Sequence, residues 1–160
     1  MPRRDDRRVA RTRSGRYEIR FDEQERQLLL TLRQQLVELL ETDTSNKLLR
    51  RLFPPAYDDQ PELEEEYRRL MGDDILRRKL DALEAVEATA SETEMSEEQV
   101  TAWLSAIHDL RLVLGTSLDV QEDLDFGEID PTSPDAPTYA LYEFLTVVEY
   151  QIVEALTASL

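Results

Sequence analysis

Residues 22–41 carry the clearest periodic signal in the chain. Leu28, Leu29, Leu32, Leu36, Leu39 and Leu40 fall on one broad stripe at about 100° per residue, which predicts an amphipathic helix. Asp22 and Glu25 stand at the spacing of a capping box and set its start, and it runs to about Glu41. Leu30 and Val37 lie on the opposite side, so the helix is either covered on both sides or contributes a dimer seam. Before it, "RYEIRF" alternates and reads as a short extended lead-in through Tyr17, Ile19 and Phe21. After it, a short helix ends at Pro54 and Pro55, and Pro61 opens the next. Leu63, Tyr67, Leu70 and Met71 are its expected buried face, with Gly72 as its stop and Asp73 or Asp74 as a new cap. A further helix runs to about Ala90, buried through Leu76, Leu80, Leu83 and Val86.

Ser96 and Gln99 form a second capping box, opening a helix that Gly115 is expected to end. Val100, Trp103, Leu104, Ile107, Leu110 and Leu114 span an arc of roughly 120° on it. Arg111 projects from inside that arc. A charge aimed at a core needs a partner, so Arg111 is predicted to form a structural ion pair with an acid from another element. Asp73, Asp74 and the acids of 119–130 are the candidates; an anion-binding Arg at a pocket mouth is the alternative. Residues 116–136 read as an acidic loop, and Pro137 starts a last helix. Its main stripe is Leu141, Leu145, Val148, Ile152 and Leu156. Tyr139, Tyr142, Tyr150 and Val153 cover much of another side, which makes it either central or pressed on a partner. Leu30, Val37, Tyr139, Tyr150 and Val153 are therefore the candidate interface, with a homodimer as one expected use of it.

These elements predict an all-α fold: a single-domain bundle of about five to six helices over 17–160, preceded by a short extended segment and a disordered Arg-rich arm over 1–16. Charge sharpens that division. Residues 1–20 hold eight Arg against three acids, a net of +5, while the other 140 hold 11 basic and 32 acidic residues, a net of −21. The body repels nucleic acid, but Arg3, Arg4, Arg7, Arg8, Arg11, Arg13 and Arg16 are placed to touch phosphates weakly and without sequence preference.

Chemistry is sparse. With no Cys and a single His, neither a thiolate nor a multi-histidine metal site is available. His108 and Asp109 are adjacent on a helix, so they point about 100° apart and make no catalytic dyad. "DLDFGEID" misplaces the glycine and final glutamate of a calcium loop. There is no phosphate loop and no dinucleotide fingerprint. No stretch is apolar enough to span a membrane and the N-terminus lacks a signal's apolar region, so a cytoplasmic protein is expected, without catalytic residues, metal or cofactor.

Three stretches carry a resemblance: "RRLFPPAYDDQPELEEEYRRLMGDDI", "WLSAIHDLRLVLGTSL" and "YALYEFLTVVEYQIVEAL". They are similar to the actinobacterial AosR family of oxidative-stress transcriptional regulators, along about Tyr17 to Leu156. The resemblance implies a non-enzymatic regulator that joins a stress sigma factor or polymerase at promoters. Its genes often neighbour that of the ClpS protease adaptor, so an adaptor or scaffold in proteolysis, without DNA contact, is the alternative. The family's paired-cysteine switch cannot carry over to a chain without Cys. The family pattern also has Asn where His108 stands and Arg where Ser117 stands, which weakens an anion site resting on Arg111 alone.

Overall fold

The computed structural model describes residues 6–120 and 124–158. It is mostly helical but not all-α. Four helices, α1 (Glu23–Thr42), α2 (Pro61–Thr89), α3 (Glu97–Ser117) and α4 (Ala136–Thr157), stand with three short strands, β1 (Val9–Arg11), β2 (Tyr17–Ile19) and β3 (Glu94–Met95). Two single 3₁₀ turns, Lys47–Leu49 and Phe126–Glu128, complete the order. The expected bundle of five to six helices is thus corrected twice, in helix number and by a sheet.

The sheet is antiparallel in the order β1-β2-β3. Val9 pairs with Ile19 and Arg11 with Tyr17, and on the other edge of β2 Tyr17 pairs with Met95. The arm expected to be disordered over 1–16 therefore folds from Val9 onward; Arg3 and Arg4 lie outside the described residues. Its physical reason is the apolar set among the arginines. Val9, Ala10, Tyr17 and Ile19 are all buried, and a hairpin turn with Gly15 at φ 81° closes the strands. The Arg8 amide also donates to Gln151 Oε1 of α4 at 3.2 Å, fixing the hairpin to the body.

Both capping boxes form as the residue spacing dictates. Glu25 N–H donates to Asp22 Oδ1 at 2.8 Å and Gln99 N–H to Ser96 Oγ at 3.2 Å, each with the reciprocal bond. The core joins Leu29, Leu32, Leu36 and Leu40 of α1 to Leu83 and Val86 of α2, to Val100, Trp103 and Ile107 of α3, and to Leu145, Val148 and Ile152 of α4. Arg33 is also buried, donating Nε–H to the Leu83 carbonyl at 2.7 Å and pairing with Glu87 at 2.9 Å.

Both expected glycine stops fail. Gly72 lies inside α2, which is one helix where the residue pattern predicts two. A Cβ built there meets nothing within 4 Å, so the residue is helical at an entropic cost. Gly72→Ala is accordingly expected to stabilise the fold by about 0.5–1 kcal/mol, read from a shift in the denaturant midpoint at unchanged slope. Gly115 likewise stays helical. The real stop is Asp119 at φ 52°, where Val120 N–H bonds the Gly115 carbonyl at 2.8 Å and Asp119 N–H that of Thr116 at 3.2 Å. That pair of bonds is a Schellman closure without glycine.

Candidate functional site

The first 21 residues of α2, 61–81, contain no buried side chain, whereas Ala82, Leu83, Val86 and Thr89 are buried. The expected buried face is corrected accordingly: Leu63 is 41% exposed, Leu70 66% and Met71 39%. The helix outruns the core it packs on, so its outer half keeps amphipathic periodicity with little to cover it. Residues 53–57 brace one side. Tyr57 N–H donates to Glu64 Oε2 at 2.8 Å, and the Tyr57 and Tyr67 rings meet edge-on at 6.2 Å. Burial raises the Glu64 carboxyl, but the Tyr57 amide, Arg68 and the Ala56 amide outweigh it and hold it below the usual range. Between brace and helix lies a groove of about 290 Å³, walled by Phe53, Pro54, Tyr67, Ile75 and Leu76.

The hairpin separates the seven arginines. Arg8 is held by Glu25 at 2.8 Å and stacks over Phe144 at 5.3 Å; Arg16 pairs with Glu94 at 2.6 Å. Arg7, Arg11 and Arg13 are exposed and line one cleft with Gln151 and Glu154 at the end of α4. Five of the seven thus lie among the described residues, with Arg8 and Arg16 held by Glu25 and Glu94.

Arg111 meets an acid that is none of the sequence candidates. Its Nη1 lies 3.5 Å from Glu149 Oε2 of α4, its Nε–H donates to Thr146 Oγ1 at 2.9 Å, and its guanidinium stacks over Tyr142 at 5.1 Å. The other Glu149 oxygen lies 2.7 Å from His108 Nδ1. His108 and Arg111 thus grip one carboxylate and tie α3 to α4. Asp109, which helix periodicity turns away from the apolar arc, is nevertheless buried and bonded by Lys79 Nζ of α2 at 3.2 and 3.3 Å. Burial pushes its carboxyl above the ordinary range, against the opposing charges of Lys79 and His108.

Of the candidate interface, Val37 packs partly on the core, Leu30 and Tyr139 are half-buried, and Tyr150 and Val153 are exposed beside Val147. Sequence reasoning misses Arg51, Glu149, Lys79 and the buried Arg33. Arg51 alone has a signal, since it opens the "RLFP" stretch. Among the described residues no group of three His, Cys, Asp or Glu is arranged to hold a metal ion, and no helix is long and apolar enough to cross a membrane.

The fold and these surfaces define a mostly helical domain with a small antiparallel sheet and open clefts. The chain belongs to the family described as a domain of unknown function, DUF2017, whose model matches residues 6–156. Among curated proteins it is 29% identical over 133 residues to a Mycobacterium leprae (strain TN) protein named "Putative oxidative stress regulator AosR". That match covers 81% of this chain and 59% of the relative, so the chain spans less than two thirds of it. No solved structure matches.

Proposed function

We propose that this protein is a non-enzymatic regulatory domain that docks a protein partner through the outer half of α2. The observation that carries the reading is the row Leu63, Leu70 and Met71, exposed on a helix half with no buried residue. Contiguous exposed apolar side chains mark interaction surfaces. Glu62 and Glu65 flank Leu63, while Glu64 and Glu66 pair with Arg68 and Arg69 beside Leu70, so the row is rimmed by both signs with a surplus of acid, and a sigma factor or a polymerase region is the expected partner. DNA contact is secondary and runs through Arg7, Arg11 and Arg13, a small phosphate-binding set beside an acidic body.

One experiment tests both parts. Tagged wild type, Leu63→Asp/Leu70→Asp and Arg7→Gln/Arg11→Gln/Arg13→Gln are each purified from native cells and titrated with duplex DNA at low salt. The expected result is that wild type brings down sigma or polymerase subunits and the α2 variant does not. The arginine variant should keep the protein partner and lose about tenfold in DNA affinity, with a shallower salt slope. Equal recovery of those subunits by the α2 variant sinks the docking assignment. Recovery of Clp components in their place points to the proteolysis adaptor instead. Unchanged DNA affinity in the arginine variant removes the DNA contact.

A further inference from the structure

A cleft of about 530 Å³ lies where the Lys47–Leu49 segment, the end of α3 and the start of α4 meet, lined by Arg51, Arg111, Leu112, Val120, Phe126 and Tyr142. We propose that this cleft binds a small organic oxyanion, a carboxylate or phosphate carried on an aromatic or apolar body.

In a chain of net charge −16, two guanidiniums from positions far apart in sequence turn into one cavity. Neither is fully used. Arg51 donates Nη2–H to the Val120 carbonyl at 3.1 Å and has no carboxylate partner among the described residues. Arg111 spends Nε on Thr146 and meets Glu149 only at 3.5 Å, the outer limit of hydrogen bonding. Guanidinium donors in a fork suit the two oxygens of a carboxylate or phosphate. A single Arg makes a weak anion site; Arg51 supplies the second base.

Gly115 explains how the second base gets there. A Cβ at this position would lie 3.1 Å from Arg51 Nη1 and 3.2 Å from Tyr142 Cε2. With hydrogen in its place, the guanidinium and the phenol ring lie directly against the α3 backbone. The glycine thus serves close approach rather than helix termination.

The walls define the rest of the ligand. Leu112 and Val120 are aliphatic, and Phe126 lies 5.9 Å from the Tyr142 ring at 37°. Arg111 already stacks on Tyr142, so that ring is fixed in place. Convergent cations beside apolar and aromatic walls, in a cleft within the usual ligand range of roughly 300–1,000 Å³, describe a site for an anionic head and an apolar body. The proposal stands apart from the docking surface of α2 and does not need it.

The test uses the full chain at low ionic strength, titrated calorimetrically with benzoate, phenyl phosphate, inorganic phosphate and benzyl alcohol. Benzoate or phenyl phosphate is expected to bind saturably at one site, and which of the two binds tighter assigns the head group. Inorganic phosphate should bind about tenfold more weakly and the neutral alcohol not at all. Arg51→Gln should lower affinity roughly tenfold or more with an unchanged circular dichroism spectrum, and Arg51→Lys should recover part of it. Absence of saturable binding at millimolar concentrations overturns the proposal, as does equal affinity in Arg51→Gln.

Discussion

Trp103→Ala is expected to destabilise the fold by about 3–5 kcal/mol, the range for removing a large buried aromatic. Trp103 is 3% exposed and joins three elements. Its ring stacks on Phe21 at 5.6 Å and 18°, on the lead-in to α1, and its indole N–H donates to Thr89 Oγ1 at 2.7 Å, at the end of α2. The Thr89 hydroxyl in turn donates to the Ala85 carbonyl at 2.7 Å. Trp103→Phe keeps part of the stack but deprives that hydroxyl of its donor, so it should cost less, about 1–2 kcal/mol from the bond with some lost volume besides. Urea unfolding followed by circular dichroism measures both, since Trp103 is the chain's single Trp and its loss removes the indole emission. A cost below about 1 kcal/mol for the alanine variant would show that the indole does not bind these elements together.

Lys79→Ala is expected to cost about 3 kcal/mol, because it strands the buried Asp109 carboxylate. The Asp109 side chain is 5% exposed, and Lys79 is its ion-pair partner among the described residues. Lys79 also lies 5.9 Å from the Phe53 ring, so the same ammonium reaches the loop that braces α2. The pH dependence has a definite sign. Burial raises the folded carboxyl above its unfolded value. Its contribution to stability is therefore fully present below the unfolded pKa and is lost as pH rises through the raised folded one. Without Lys79 the carboxyl rises further, so the Lys79→Ala deficit should shrink under acid conditions, where Asp109 is neutral. Lys79→Met/Asp109→Leu should recover most of the loss. Additive costs in that double-mutant cycle, or a deficit independent of pH, would show that the two groups are not coupled.

What was legible in the chain is local chemistry. Asp22 with Glu25 and Ser96 with Gln99 place two helix starts, because a capping box is satisfied within four residues. The illegible features depend on distant partners. Tyr17 becomes a central strand residue only by pairing with Met95, and no local pattern announces that register. Nor can the acid facing Arg111 be chosen without the packing of α3 on α4, which brings Glu149 rather than a loop carboxylate. Glycine misleads twice for one reason. It is tolerated inside a strong helix, and whether it stops one depends on the conformation of the residues after it; at α3 the chain closes four residues later, on Asp119. The three stretches that carry the family resemblance point to the family, but not to the cleft that Arg51, Arg111 and Tyr142 form.

The unequal anchoring of α2 has a mechanical consequence. Leu76 and Leu80 still pack partly on the core, so at about 1.5 Å per residue the stretch 61–75 extends roughly 20 Å beyond it. A rotation of about 5° at Leu76 would move the outer tip by roughly 2 Å, while the core side chains shift by tenths of an ångström. The Lys79–Asp109 pair sits beside the pivot. The outer half of α2 is thus held by the core at one end and by the Tyr57–Glu64 contact along its side, and it carries the exposed Leu63 and Leu70 toward its far end.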